Sequence, residues 1–249
     1  MASILTFPIN NVEVPIKCHP NSPDLDLPRC IASKLFLEWV NNLDPALKIT
    51  EVLVSSVDNF GSRIGFLKIE VAAFFNGVRV PGICFLRGGA VSILVVLKSE
   101  GKDWVLLTKQ PRVPVGASDL LELPAGMLDG SGAFAGVAAK EMEEETGIIL
   151  GEGDLVDLTK LAQKGGKPTR GMYPSAGGCD EFLRLMYHER MVTRSELDAM
   201  RGKQTGLRKE GEVITLELVP YADLWQVCSD AKALSSMLLF ERLRAAGEV

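Results

Sequence analysis

Residues 134–147 constrain the fold more than any other segment, because their spacing predicts a helix that turns acidic side chains toward the core. The apolar stripe of this helix is formed by Phe134, Val137 and Ala138. Glu141 and Glu145 lie four residues apart on the same stripe, Glu144 lies at its edge, and Glu143 points to solvent. Removing an unpaired charge from water costs several kcal/mol, so this face requires either solvent or a bound cation.

Two interpretations of these acids follow. In the first, the run of glutamates is a solvated helix face, as most such runs are. In the second, Glu141 and Glu145 bind a divalent cation, since Mg²⁺ prefers oxygen ligands and is held by carboxylates together with substrate phosphates. The position of both acids on the apolar stripe, and the glycine-containing segment 123–129 before the helix, favour the second interpretation.

The composition of the whole chain limits the classes of partner. Its 249 residues are 47% hydrophobic and 24% charged, and the net charge of −5 disfavours a nucleic acid bound through its phosphates. A phosphate-bearing substrate would therefore need local positive charge, such as a metal. No apolar run approaches the ~20 residues of a membrane-spanning helix. The five cysteines are scattered without a CxxC motif, which predicts free thiols in a reducing compartment.

The pattern of the chain changes near residue 87. Residues 1–87 are expected to form a small β-rich domain, and residues 88–249 a larger second domain. The first 30 residues are rich in proline and are predicted to be an extended lead-in. The rest of the first domain is predicted to contain a helix over 31–43 and strands over 49–57, 63–75 and 78–86, with a hairpin turn at Asn76-Gly77.

The larger domain mixes strands with a few helices. Strands are predicted over 90–97, 104–109, 182–188 and 213–220, and helices over 133–146, 222–227 and 230–246. This mixture predicts an α/β (α+β) protein in which a mixed β-sheet is sandwiched between α-helices, preceded by the small β-rich domain.

Residues 126–148 resemble the Nudix box, G-x5-E-x7-R-E-U-x-E-E-x-G-U, in which U is an aliphatic residue. The spacing agrees with this pattern from its first glycine to its last. Two positions depart from it, since Gly132 stands at the place of a glutamate and Lys140 at the place of an arginine. The chain is therefore similar to the Nudix hydrolases, and this resemblance implies a loop–helix–loop hydrolase that acts on a nucleoside diphosphate linked to another group.

Three further segments resemble the branch of this family that hydrolyses ADP-ribose and nucleotide sugars, and most of all its plastidial ADP-sugar (ADP-glucose) pyrophosphatases of plants. These segments are 110–126, 174–181 and 206–212. The resemblance spans nearly the whole chain and implies Mg²⁺-dependent hydrolysis of the pyrophosphate bond of ADP-sugars such as ADP-glucose and ADP-ribose. The implied products are AMP and a sugar phosphate, which for ADP-glucose is the sugar 1-phosphate glucose 1-phosphate. Mn²⁺ is the alternative metal.

The resemblance also implies a set of site residues. The expected metal ligands are the carbonyl of Ala125 and the carboxylates of Glu141, Glu144 and Glu145. The expected catalytic residues are Glu210 as general base, Glu212 as the alternative base, and Glu144. The expected substrate-binding residues are Arg112, Glu122, Gly177, Gly178 and Glu181. The competing interpretations are a purely structural ion pair between Arg112 and Glu122, and a solvated loop position for Glu210.

Partners and location follow from the same resemblance. It implies a small nucleoside diphosphate sugar as substrate and a homodimer formed through the first domain, with a contribution of that domain to substrate binding as a further expectation. It also implies a chloroplast location, with the cytoplasm as the alternative because residues 1–10 do not read as a transit peptide. No nucleic-acid or membrane partner is expected. Two other functions stay open: a pyrophosphatase for ADP-ribose or another nucleoside diphosphate sugar, and a nucleotide-binding scaffold with weak catalysis, which the departures at Gly132 and Lys140 favour.

Overall fold

The computed structural model describes residues 4–128, 134–164, 169–207 and 211–249, which fall into two compact units. The first unit contains the chain up to Gly88 together with Ser175–Glu181, and the second contains Gly89–Pro174 and Phe182–Val249. Our division of the sequence at residue 87 assigned residues 175–181 to the second domain. Their backbone instead joins the first unit, where the N–H of Phe85 donates to the carbonyl of Gly178 at 2.8 Å.

The first unit is built on a six-stranded sheet. Its strands are β1 (Ile4–Ile9), β2 (Val12–Cys18), β3 (Lys48–Phe60), β4 (Arg63–Phe75), β5 (Val78–Val80) and β6 (Ile83–Leu86), and its helices are α1 (Leu27–Ile31) and α2 (Lys34–Asn41). The strand order is β1-β2-β3-β4-β5, and β6 also pairs with β4. Phe36 of α2 is fully buried in the core of this unit, among the aliphatic side chains of the strands.

The extended lead-in predicted for residues 1–30 is wrong, because much of that segment forms the β1–β2 hairpin and α1. The hairpin turns at Asn10 and Asn11, whose φ angles of 49° and 64° suit a type I′ turn. Pro8 is tolerated in β1 because this strand lies at the edge of the sheet and pairs on one side only. Pro8 therefore marks an edge strand rather than the absence of secondary structure.

The second unit is built on an eight-stranded mixed sheet. Its strands are β7 (Ala90–Ser99), β8 (Lys102–Arg112), β9 (Ala117–Glu122), β10 (Ala125–Met127), β11 (Val156–Asp157), β12 (Leu183–Met191), β13 (Gln204–Thr205) and β14 (Ile214–Pro220). Its helices are α3 (Phe134–Thr146), α4 (Leu158–Ala162), α5 (Arg194–Met200), α6 (Leu224–Val227) and α7 (Ala231–Ala245). The main order is β11-β12-β7-β8-β14-β13, and β12 pairs with β7 in parallel while the other pairs are antiparallel.

Both faces of this second sheet are covered, so the central strand β7 is buried along almost its whole length. Side chains at alternate positions of β7 enter two different cores. One core contains Ala138 and Met142 of α3, and the other contains Phe240 and Leu243 of α7. A mixed sheet between helices is therefore confirmed. Among the described residues, no helix combines the length and the apolar character needed to cross a membrane.

Candidate active site

The short strand β10 brings a glycine directly against the acidic helix. A Cβ atom at position 126 would lie 1.9 Å from the carboxyl carbon of Glu141, so only glycine leaves room for that side chain in its present position. β10 is held by antiparallel pairing with β7, in which Gly126 lies opposite Val91. The first glycine of the sequence motif thus has a steric reason: it lets the backbone approach a carboxylate of α3.

Glu145 is the most perturbed acid of this site. It is only 5% exposed, and one of its carboxylate oxygens accepts the N–H of Ala125 at 3.0 Å. Burial raises the pKa of Glu145 to about 8, and the nearby charges of Glu141 and Glu212 raise it further, against the opposing effects of the Ala125 N–H and of Arg112. The burial predicted from the apolar stripe is thus observed, whereas the metal-binding role of Glu145 stays a prediction.

The carbonyl of Ala125 faces the same side as its N–H. In the β10–β7 pair, the Ile93 N–H donates to Pro124 and the Leu128 N–H donates to Gly89, at 3.0 and 2.9 Å. Hydrogen-bonded pairs alternate along an antiparallel ladder, so Ala125, opposite Ser92, occupies a position whose N–H and C=O both turn away from β7. Because that N–H reaches Glu145, the carbonyl oxygen also lies on the side of the acidic helix.

Glu144 lies at the edge of the buried stripe, as its spacing predicts. It is partly buried and forms an ion pair with Lys140, one helical turn earlier, at 3.1 Å. Lys140 therefore keeps a positive charge beside this acid, although it lacks the planar guanidinium that can bind a carboxylate through two nitrogens. Glu143 is exposed, as expected. Gly132 lies outside the described residues.

Arg112 and Glu122 form the ion pair that the sequence left as a competing interpretation. Nε of Arg112 lies 2.5 Å from Oε2 of Glu122, whose side chain is 7% exposed, whereas the Arg112 side chain is 41% exposed. The other oxygen of Glu122 accepts from Nζ of Lys232 at 2.9 Å. Burial alone raises the pKa of Glu122, but Lys232 and Arg112 outweigh it and hold this pKa below its usual value. This ion pair uses only Nε of Arg112, so the Nη groups do not bind Glu122.

Glu212 closes the loop that follows β13. Its carboxylate accepts the N–H of Leu207 at 2.9 Å, and its own N–H donates to the carbonyl of Leu207 at 3.3 Å. Gly206, at φ +83°, begins this turn. Glu212 is also close enough to Glu145 to raise its pKa. Glu210, the first choice as general base, lies outside the described residues.

The remaining expected substrate-binding residues belong to the first unit. Gly177 and Gly178 are exposed, and a Cβ atom at either position would meet nothing within 4 Å. Glu181 forms an ion pair with Arg87 at 3.3 Å. The second unit thus brings together Arg112, Glu122 and the acids of α3. Gly177, Gly178 and Glu181 belong to the first unit instead.

The donor set of the second unit suits a hard cation only in part. Glu141, Glu145 and the Ala125 carbonyl supply oxygen atoms, which Mg²⁺ prefers. Over residues 4–128, 134–164, 169–207 and 211–249, however, no three acidic, histidine or cysteine side chains are grouped as a metal site. A cation bound here would therefore depend on a backbone oxygen and on substrate oxygens as well as on the carboxylates of α3.

Two residues beside the site had no role in our sequence-based prediction. The hydroxyl of Thr205 donates to the backbone carbonyl of Glu145 at 2.5 Å and ties the end of α3 to β13. Lys232 reaches Glu122 from α7. A helix N-cap signal at Asp230 was visible in the sequence, but nothing there indicates that the lysine two residues later meets a glutamate 110 positions away.

A short strand with a glycine at its centre, an acidic helix with one buried carboxylate and a mixed sheet between helices agree with the fold and motif of a Nudix hydrolase. The chain belongs to this family, since the NUDIX domain matches residues 86–238. It is 40% identical to Nudix hydrolase 14, chloroplastic, of Arabidopsis thaliana, over 95% of this chain and 82% of the relative.

Two other proteins with nucleotide-related names are similar. The chain is 27% identical to an ADP-ribose pyrophosphatase of Bacillus subtilis, over 59% of this chain and 71% of that protein. Among solved structures, an ADP compounds hydrolase superposes with a TM-score of 0.53 at 20% identity, covering 82% of this chain and 97% of that one. The latter likeness concerns the fold alone.

Proposed function

We propose that this Nudix hydrolase is an ADP-sugar pyrophosphatase that cleaves ADP-glucose or ADP-ribose to AMP and a sugar phosphate in a Mg²⁺-dependent reaction. The observation that carries the proposal is the buried Glu145 beside Glu141 at the glycine strand, with the exposed guanidinium of Arg112 close by. The similarity to a Bacillus subtilis protein named ADP-ribose pyrophosphatase supports the choice of ADP compounds.

Glu141, Glu145 and the carbonyl of Ala125 are the groups that would hold Mg²⁺, with Glu144 as a further ligand. A cation held by these residues would supply charge neutralisation at phosphate oxygens and activation of water. Glu145 must lose its proton to act as a ligand, since its pKa is raised to about 8 when no cation is present. Cation binding is therefore coupled to release of a proton from this residue near neutral pH.

Arg112 is proposed to bind a substrate phosphate, and Glu210 or Glu212 to act as the general base. The guanidinium of Arg112, fixed at Nε, orients a substrate phosphate through its other nitrogens. Glu210 is proposed as the general base, and the engagement of Glu212 with Leu207 makes Glu212 the weaker candidate. The backbone near Gly177 and Gly178 is proposed to contact the substrate, with Glu181 ordering that loop through Arg87.

The deciding experiment incubates the purified chain with ADP-glucose, with and without Mg²⁺, and identifies the products. We expect AMP and glucose 1-phosphate only with the metal, and a loss of at least about 100-fold in Glu145→Gln. Glu143→Gln, which alters an exposed acid of the same helix, is the matched control and should retain full activity.

A substrate panel separates the alternatives. ADP-ribose, UDP-glucose and GDP-mannose, each tested with Mg²⁺ and Mn²⁺, distinguish an ADP-sugar enzyme from one with another preference. Absence of turnover for every nucleoside diphosphate sugar would contradict the proposal. Nucleotide binding without phosphate release would indicate the scaffold function instead.

A homodimer and a chloroplast location complete the proposal. The word chloroplastic in the name of the Arabidopsis relative supports the location, and imaging of a fluorescent fusion of the full gene product in plant cells tests it. The dimer rests on the family resemblance. Light scattering should give a mass near twice the 27.0 kDa of the chain, and a mass of one chain at micromolar concentration would contradict it.

A further inference from the structure

Residues 228–232, which lead into α7, are bonded to the three consecutive residues 121–123, at and just after the end of β9. The thiol of Cys228 donates to the Leu121 carbonyl at 3.3 Å, and Asp230 accepts the N–H of Leu123 at 3.1 Å. Between them, Lys232 reaches Glu122 at 2.9 Å. The first two contacts use backbone atoms of residues 121 and 123 and hold the chain between β9 and β10. The third uses a charged side chain that faces the site.

Four charged groups balance one another here. Lys232 lies 2.9 Å from both Asp230 and Glu122, and Arg112 completes the set on the other oxygen of Glu122. The side chains of Asp230 and Glu122 are 6% and 7% exposed, so neither negative charge is screened by water. Two buried carboxylates require two cations for charge balance. The Lys232 side chain is 16% exposed and that of Arg112 is 41% exposed, so Arg112 is the more accessible of the two to a nucleotide.

The two carboxylate oxygens of Glu122 bind different partners, and this determines how Arg112 is held. A carboxylate and a guanidinium left alone prefer a forked pair, in which two nitrogens meet two oxygens. Here Lys232 occupies Oε1, so Arg112 binds Oε2 through Nε. The two Nη groups of Arg112 are then not drawn onto Glu122.

From this geometry we infer that Lys232 is a positioning residue for the hydrolase: by occupying one oxygen of Glu122, it keeps the Nη edge of Arg112 directed toward a phosphate of the bound nucleotide. The inference rests on the proposed function, which assigns a substrate phosphate to Arg112. Lys232 itself does not touch the substrate. Without it, Arg112 rotates into a forked pair with Glu122 and its phosphate-binding edge is lost.

The test compares Lys232→Met with wild type for the hydrolysis of ADP-glucose. We expect kcat/KM to fall about 10- to 100-fold, mainly through a higher KM, because an arginine that holds phosphate contributes binding in both ground and transition states. The matched control is Lys98→Met, which removes another lysine–glutamate pair of 2.9 Å in the same unit, and it should stay within about twofold of wild type. Equal losses in both variants would overturn the inference.

A double-mutant comparison separates positioning from a structural role. In an Arg112→Ala background, Lys232→Met should have almost no further effect on KM, since both changes remove the same phosphate contact. An undiminished effect in that background would overturn the inference. If Lys232→Met fails to fold, Glu122→Gln/Lys232→Met, which removes one of the two buried carboxylates that the lysine neutralises, is compared with Glu122→Gln alone. The two variants should have the same KM, since an amide at position 122 cannot capture Arg112 in a forked ion pair. A higher KM in the double variant would overturn the inference.

Calorimetric titration with ADP measures nucleotide binding directly and so tests the inference without enzymatic turnover. The Kd for ADP should rise about tenfold in Lys232→Met and should not change in Lys98→Met. If wild type hydrolyses no nucleoside diphosphate sugar, the proposed function fails, while this titration still measures the role of Lys232. If wild type hydrolyses ADP-glucose but Lys232→Met binds ADP and turns over substrate normally, only the present inference fails.

Discussion

The carboxyl group of Glu145 is buried next to other acids, and its surroundings decide which protonation state the fold accepts. The Ala125 N–H satisfies one oxygen, but burial dominates and favours the neutral acid. The same side chain becomes a good ligand once a cation replaces the proton. A single residue can therefore link acidity, stability and metal affinity.

The stability of the cation-free protein should fall as pH rises from about 5 to 8. Glu145, with a pKa near 8 in the fold and 4.5 as the ordinary value, retains a proton that the unfolded chain has released, so the folded state is favoured below this range and loses that advantage through it. A shift of this size corresponds to a few kcal/mol. Thermal unfolding in EDTA at several pH values measures the effect.

The control for this pH dependence is built into the same helix. Glu145→Gln is neutral at every pH and keeps an acceptor for the Ala125 N–H, so the decline in melting temperature should be much shallower than in wild type. Glu143→Gln, at an exposed position, should behave as wild type does. Identical slopes in wild type and Glu145→Gln would refute the assignment.

At the scale of the elements, long periodic segments were predictable and short ones were not. The helix expected over 133–146 is observed as α3 over Phe134–Thr146, because its apolar spacing coincides with its packing against the sheet. β10 was missed, since three residues containing a glycine carry no periodicity and become a strand only through pairing with β7. α5 was also missed, although Thr193 and Glu196 form a capping box before and within it.

The same limit applies to the site. The acids of α3 were predictable from their position on the apolar stripe, and the burial of Glu145 agrees with that position. The partnership of Lys232 with Glu122 was not predictable, because it depends on how α7 packs 110 residues later in the chain. Local spacing therefore identifies residues on one element, whereas contacts between distant elements require the tertiary structure.

Gly126→Ala tests the close approach of β10 to α3. The added methyl group must displace the carboxylate of Glu141, which is the end of a flexible side chain, so we expect a loss of activity of about 10- to 100-fold with little change in melting temperature. Gly153→Ala adds a methyl group where nothing lies within 4 Å and should leave both properties unchanged. An active Gly126→Ala enzyme would show that the position of Glu141 is not needed. Initial rates and thermal unfolding are the measurements.

Glu212 and Glu210 can be separated by conservative substitution. Glu212→Gln keeps an oxygen that can accept the Leu207 N–H, so kcat should stay within about threefold of wild type, whereas Glu212→Ala opens the loop and should lower it about tenfold. Glu210→Gln removes the proposed base and should lower kcat by about 10²- to 10⁴-fold. The opposite ranking of the two glutamine variants would make Glu212 the base.

At the scale of the whole molecule, the chain crosses between the two units three times rather than once. It leaves the first unit after Gly88, returns at Ser175 and leaves again after Glu181. The returning segment is held by Asp180, whose Oδ1 accepts the N–H groups of Arg87 and Gly88 at 2.7 and 3.1 Å. The glycines proposed to contact substrate thus lie on a segment anchored to the first sheet.

Asp180→Ala should destabilise this anchoring by about 1–3 kcal/mol, because two backbone N–H groups, one of them on buried Gly88, lose their acceptor. Asp180→Asn retains the accepting oxygen and should recover most of that loss. Chemical denaturation measures both variants, and hydrogen exchange at residues 175–181 should increase in the alanine variant alone. An alanine variant as stable as the asparagine variant would show that these hydrogen bonds contribute little.

The alternating path of the chain also bears on how such a protein can arise and be divided. A gene fragment cut after codon 88 would encode the first sheet without the segment that pairs with Phe85, Arg87 and Gly88, and its complement would carry that segment with no strand to receive it. Neither fragment therefore contains the complete first unit. A split or fusion point after residue 88 would divide the first unit between two fragments.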